Sequence, residues 1–145
     1  MAHAEGTVTI NRPVGEVFDF ILDGANNAKW RPAVIDVRLT TQPPLGLGTA
    51  YAQGLKGPGG RRIEGDYEIV EFRPKELIKF QVTAGPARPW GLYRFAGTGG
   101  STQVTFILDF QPKGLARLIE PMINQTMKAE VATLSNLKAY LESQP

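Results

Sequence analysis

The sequence predicts an α+β fold in which a curved antiparallel sheet of about seven strands wraps around one long C-terminal helix, with two short helices after the first strand. Three observations carry this expectation. Between Val34 and Phe110, short alternating runs are punctuated by turn clusters: Pro43-Pro44, Gly46-Leu47-Gly48, Gly57-Pro58-Gly59-Gly60, Arg73-Pro74-Lys75, Gly85-Pro86 and Gly97-Thr98-Gly99-Gly100. That is the pattern of hairpin-linked strands. Downstream, Ile123, Met127, Val131, Leu134, Leu137 and Leu141 recur every three or four residues, an amphipathic helical stripe. Upstream, a short alternating run gives way to helical spacing.

The first strand is read at Thr7–Ile10, before the break Asn11-Arg12-Pro13. Proline is tolerated in the first turn of a helix, and Glu16 suits its positive end. Val14, Val17, Phe18 and Ile21 then place a short helix over Pro13 to Leu22, ended by Gly24. Ala25–Trp30 forms a second short helix, stopped by Pro32. In Arg62–Phe72, Ile63, Tyr67 and Ile69 alternate with Glu64, Asp66 and Glu68. With a turn at Arg73–Glu76, Phe80 falls opposite Ile69 and Val82 opposite Tyr67, which places both apolar sets on one face. The same parity carries Glu71 inward with Ile69 and Ile78. A two-residue turn at Gly99-Gly100 sets Phe95 against Val104 and Tyr93 against Phe106. The C-terminal helix runs from Leu115 to Glu142, with a kink near Glu120 because Pro121 cannot sit inside a regular helix.

Composition bounds the function. The 145 residues read as one domain, 1–145, with a formal net charge of +2 and no cysteine. Disulfides and thiolate chemistry are thereby excluded, and a cytoplasmic setting is expected. No signal-peptide pattern is present at the N-terminus, and no apolar run is long enough to span a membrane. Lys and Arg are dispersed, so nucleic-acid binding is not expected. A homodimer is compatible with the sequence.

A helix is only about 10 Å wide, so one helix covering several strands requires a sheet that curls around it. The aromatic residues of the concave face then either fill the interior or line a gap beneath the helix. At this point the chain resembles the START-like (SRPBCC) helix-grip superfamily, in particular its polyketide cyclase/dehydrase-like branch. The resemblance is carried by Ile10-Asn11-Arg12-Pro13-Val14-Gly15-Glu16-Val17-Phe18, by Asn26 to Pro32 with Trp30, and by Leu47-Gly48-Thr49. It continues in Tyr67-Glu68-Ile69-Val70-Glu71-Phe72 with Pro74, in Tyr93-Arg94-Phe95, in Gln103-Val104-Thr105-Phe106, and in Leu134 through Glu142. It implies a helix-grip fold with a cavity between sheet and C-terminal helix for a small hydrophobic molecule. One departure is Arg31, which stands where members often have an aromatic or a second proline. Bordering the pocket, it can meet an acidic ligand group; otherwise it is a solvated loop residue.

The expected ligand-binding residues are Trp30, Tyr51, Tyr67, Ile69, Phe80, Tyr93, Phe95, Phe106, Leu108, Met122, Ile123 and Met127. Aromatics on a strand face and Met on a helix face pack a core as readily as they line a pocket. Catalytic candidates are few. Glu71 is a candidate base if it reaches the cavity, where desolvation raises a carboxyl pKa. Tyr93 offers a hydroxyl that can polarise a carbonyl. The single histidine, His3, lies in an end expected to fray, and no metal site or cofactor is expected. The first reading is a binding or carrier domain for a lipid, isoprenoid or polyketide-like aromatic. The second is a cyclase/dehydratase-type enzyme acting on such a ligand, by templating plus one or two acid/base groups. The third is a protein-interaction subunit with a vestigial cavity, which an exposed apolar patch around Leu92 and Ile107 would favour.

Overall fold

Alternation and turn chemistry produce eight strands, each paired antiparallel to its neighbours. The computed structural model describes residues 2–85 and 87–145, so the turn expected at Gly85-Pro86 falls partly outside the described residues. In chain order the strands are β1 (Ala2–Ile10), β2 (Val34–Leu39), β3 (Ala50–Lys56), β4 (Arg62–Glu64), β5 (Tyr67–Arg73), β6 (Leu77–Val82), β7 (Trp90–Thr98) and β8 (Ser101–Phe110). Seven of them form one path, β1-β8-β7-β6-β5-β3-β2, and the short β4 pairs with β3 beside it.

The run expected as one strand from Arg62 to Phe72 is broken at Gly65-Asp66. There the Gly65 amide donates to the Gln53 carbonyl (2.8 Å), and the Asp66 carboxylate accepts the Gln53 amide (3.0 Å). The first strand is longer than expected. It begins at Ala2, so His3 is not frayed: it pairs with Asp109 in register, and its Nδ1 lies 3.0 Å from the Asp109 carboxylate.

Both expected hairpin registers are present, with Tyr67 opposite Val82, Ile69 opposite Phe80, Phe95 opposite Val104 and Tyr93 opposite Phe106. The first hairpin carries a bulge that alternation did not anticipate. Ile69 opposes Phe80 but Glu71 opposes Lys79, so two residues of β5 face one of β6. An extra residue in one strand reverses the facing of everything beyond it. Glu71 therefore points to solvent, and Phe72 turns inward against Phe18, ring centroids 5.7 Å apart. On the outer face, Leu92 and Ile107 do not form an exposed patch. They oppose each other between Lys79 and Glu5 and are only 7% and 9% exposed.

The two short helices form as α1 (Val14–Leu22) and α2 (Asn27–Trp30), joined by a tight turn at Gly24–Asn26. The C-terminal arm starts with a tight helical turn, Gly114–Ile119, and continues as α3 (Glu120–Ala132) and α4 (Leu134–Glu142). The change of helix type falls at Glu120, where Pro121 occupies the first turn and needs no N–H partner. A second interruption, at Thr133, was not expected. Its backbone amide and its hydroxyl both donate to the Glu130 carbonyl, three residues back, in place of the i−4 ladder. The stripe Met127, Val131, Leu134, Leu137 and Leu141 is buried, and α3 and α4 both pack against β1.

Candidate functional site

The concave face presents one aromatic ring from each of five adjacent strands. Tyr51 on β3, Tyr67 on β5, Phe80 on β6, Tyr93 on β7 and Phe106 on β8 follow one another across the sheet, with successive centroids 5.2, 5.4, 5.8 and 4.4 Å apart. Strand parity aims all five inward, and the antiparallel register brings them into one band. The last contact, Tyr93 on Phe106, is a parallel stack. Trp30, at the end of α2, meets both of those rings edge-on at 6.4 Å.

Two glycines permit this density. A Cβ on Gly24 would stand 2.5 Å from the Tyr67 hydroxyl and 2.9 Å from the Tyr51 ring. A Cβ on Gly91, opposite Phe80 in the ladder, would overlap the Phe80 ring.

Beside the band lies a cavity of about 20 Å³, counted as space open to the centre of a water molecule. That is room for about one water. Its walls are Ile21, Leu22, Asn27, Arg31, Tyr67, Ile69, Ile78, Phe80 and Tyr93. The cavity thus lies between the sheet and the α1–α2 segment, and the C-terminal helix does not line it. Wider hollows exist, such as one of about 550 Å³ between β1 and α3, but that one is an open surface groove with Glu5, Thr7, Lys128 and Ser135 in its walls. The small cavity gathers buried rings and buried polar groups together.

Those polar groups form two clusters. The Asn27 Nδ2 donates to the Tyr67 hydroxyl (2.8 Å) and to Gln53 Oε1 (2.9 Å), and both Asn27 and Gln53 are buried. Arg31 is 8% exposed, and its Nε and Nη2 both donate to a single oxygen of Glu130 on α3, the Nε bond being 2.9 Å. Burial opposes the Arg31 charge, but the Glu130 carboxylate outweighs it and holds the guanidinium pKa above its ordinary value. Burial pushes the Tyr93 phenol well up, with Arg31 opposing the shift in part. Burial does the same at Tyr67, against the Asn27 hydrogen bond. Both are neutral phenols across the physiological range. The Tyr51 hydroxyl, also raised by burial, donates to the Leu22 carbonyl at 3.1 Å. The Trp30 Nε1 is the buried side-chain nitrogen left without a partner among the described residues.

Of the residues singled out from sequence, Tyr67, Ile69, Phe80 and Tyr93 line the cavity. Trp30, Tyr51, Phe95, Phe106, Leu108 and Met127 are buried around it, Phe95 lying against Phe18 rather than in the band. Ile123 is half-buried, Met122 is 48% exposed on the first turn of α3, and Glu71 is on the outside. Asn27, Gln53 and Glu130 were not anticipated. Gln53 shares the inward parity of Tyr51, and Glu130 lies three residues after Met127, so each carried a signal. Among the described residues, no three His, Asp or Glu side chains converge to hold a metal ion, and no helix is long and apolar enough to cross a membrane.

What the cavity offers is a guanidinium, an amide, two phenols and a surround of rings. Such a set can hydrogen-bond to oxygen atoms and can polarise a carbonyl.

Comparison with known proteins agrees with this architecture. Residues 1–142 match the family model for polyketide cyclase/dehydrase and lipid transport proteins. Among solved structures, TTHA0849 from Thermus thermophilus superposes with a TM-score of 0.79 at 16% identity, covering 98% of this chain and 99% of that one. A START superfamily protein from Mycobacterium smegmatis gives 0.74 at 9% identity, covering 97% and 99%. The Zhui aromatase/cyclase from Streptomyces sp. R1128 gives 0.72 at 17% identity, covering 97% and 88%. Identities this low concern the fold alone. No curated protein matches the chain in sequence.

Proposed function

Because the chain belongs to the polyketide cyclase/dehydrase and lipid transport family, we propose that it is a carrier or binding domain for one small hydrophobic molecule held inside the sheet. The observation that supports this most is the band of five rings, of which Tyr67, Phe80 and Tyr93 line one internal cavity together with buried hydrogen-bonding groups. Ligand sites are mostly apolar with a few placed polar groups, and this interior has that composition. The ligand class is a lipid, an isoprenoid or a polyketide-like aromatic, taken up in the cytoplasm by a chain that can form a homodimer and binds no nucleic acid. The cavity as it stands holds about one water, so uptake requires ring side chains to swing aside. Phe80, Tyr67 and Tyr93 are the residues that must move.

Native mass spectrometry of the purified protein tests this, together with fluorescence titration using N-phenyl-1-naphthylamine. A co-purifying apolar molecule or saturable binding is expected. Failure of both, with no affinity tighter than about 1 mM, sinks the carrier reading.

A second reading is favoured by one observation: Tyr93, a neutral phenol, lines the same cavity as Arg31. Together they can polarise a ligand carbonyl for cyclisation or dehydration. Glu71, exposed on the far side of the sheet, has no part in that scheme. Once a substrate is in hand, Tyr93→Phe keeps the ring and removes the hydroxyl. Turnover lost with binding retained makes the protein an enzyme, and unchanged turnover removes Tyr93 from the chemistry. The interaction-subunit reading loses its outer-face patch, since Leu92 and Ile107 are covered.

A further inference from the structure

We propose that the ligand carries an acidic group, and that its anion takes the place of Glu130 at the Arg31 guanidinium. This rests on the carrier reading and narrows its ligand to amphipathic acids, such as a fatty acid or an acidic aromatic.

Arg31 is the one charged residue lining the cavity; Glu130 does not line it. The guanidinium interacts electrostatically with the cavity phenols Tyr93 and Tyr67, and its counter-ion Glu130 comes from α3. The pairing is incomplete. Nε and Nη2 converge on one carboxylate oxygen, and Nη1 donates to no described residue. A guanidinium can grip a carboxylate through two parallel bonds, so donor capacity remains on Arg31.

Exchange of one anion for another also costs less than building a buried ion pair anew. The guanidinium is already desolvated, and that desolvation is the main obstacle to a buried ion pair. Glu130 keeps 14% side-chain exposure, so its carboxylate is at the rim and can rotate to water when displaced. The rest of the lining is neutral: Asn27, the two phenols, and aliphatic and aromatic carbon. An acid with an apolar body satisfies both parts, its head on Arg31 and its body among the rings. A neutral ligand leaves Arg31 paired as it is.

The test uses two probes with one aromatic scaffold. 8-Anilinonaphthalene-1-sulfonate is an anion, and N-phenyl-1-naphthylamine is its neutral counterpart. Fluorescence titration of the full chain should show the anion binding about tenfold tighter or better, the ratio expected for one charged hydrogen bond. Arg31→Met should erase that ratio while leaving the neutral probe bound, and Arg31→Lys should restore part of it. Glu130→Gln should tighten the anion selectively, because it removes the competing carboxylate. Circular dichroism reports whether each variant is folded. If Arg31→Met leaves a lone buried carboxylate that unfolds the chain, Arg31→Met/Glu130→Gln serves in its place. Equal affinity for both probes, or a ratio that survives loss of Arg31, overturns the acidic-ligand inference and leaves the carrier reading standing. Failure of both probes to bind overturns the two together.

Discussion

Gly91→Ala tests whether the ring band is as tightly packed as its geometry states. Gly91 faces Phe80 across the β6–β7 ladder, and an added Cβ would overlap three carbons of the Phe80 ring, the farthest of them at 2.8 Å. Ordinary carbon contacts sit near 3.5–4.0 Å, so the nearest ring carbon must move by roughly 1.5 Å. Its neighbours oppose that shift, with the Tyr67 centroid 5.4 Å away on one side and the Tyr93 centroid 5.8 Å away on the other. The adjoining cavity is too small to take a ring. Overpacking of this kind costs about 1–3 kcal/mol. Replacing a strand glycine by alanine returns about 0.5–1 kcal/mol of backbone entropy, leaving a net loss of about 1–2 kcal/mol. For a chain of this size that lowers Tm by about 3–7 °C. The mechanism is isolated by a double-mutant cycle with Phe80→Leu, which removes the obstructing edge of the ring. In urea melts followed by circular dichroism, the double variant should lose less than the sum of the singles, by about 1–2 kcal/mol. Additivity to within about 0.5 kcal/mol would refute the clash and the packing account built on it.

Tyr67→Phe strands one buried N–H of Asn27, which otherwise donates to that hydroxyl at 2.8 Å. The expected loss is about 1–2 kcal/mol in a urea melt; Tyr51→Phe, whose hydroxyl donates to Leu22 in a less enclosed place, should lose less, and equal losses would count against the Asn27 cluster. His3 is the only histidine in the chain, so its ring signals in an NMR titration are unambiguous. The Asp109 hydrogen bond raises its pKa above the ordinary 6.5, with burial opposing. The folded state thus favours the charged ring; its contribution to stability is complete below pH 6.5 and is lost as pH rises through the raised value. Asp109→Asn should lower the His3 titration midpoint, with Glu5 still raising it in part, and an unchanged midpoint would contradict the pairing.

The sheet was legible because a period of two leaves little freedom. Once Arg73–Glu76 and Gly99-Gly100 are recognised as turns, the partners of Ile69, Tyr67, Phe95 and Tyr93 follow by counting, and the observed ladder agrees. Counting fails where a residue is inserted. After Ile69 the sequence reads Val70, Glu71, Phe72, and strict alternation sends Glu71 inward and Phe72 outward. The chain resolves that conflict with a bulge, since burying a carboxylate and exposing a phenyl ring are both unfavourable. The apolar–polar order of Phe72 and Glu71 was the signal for it. The break at Thr133 is of another kind. A threonine hydroxyl can bond back to a helix carbonyl or turn to solvent, and local sequence does not distinguish the two.

The site divides along the same line. Its rings were legible because each needed only its own strand's parity. The pairings of its polar groups were not, because Arg31 and Glu130 are 99 residues apart and Asn27 and Tyr67 are 40 apart. A charged residue at the edge of a helical stripe reads as solvated until something packs over it. Whether the rings enclose space or consume it is a question of volume, and parity carries no information about volume. In this structure they consume it, at separations where each aromatic contact contributes about 0.5–1.5 kcal/mol beyond burial. Displacing two or three rings to admit a ligand forfeits several such contacts. A ligand recovers them only by presenting comparable apolar surface to the rings that remain, and it gains further by engaging Arg31. On the proposed reading, the interior would select for a molecule that replaces both the packing and the counter-ion, which a wide, pre-formed cavity would not demand.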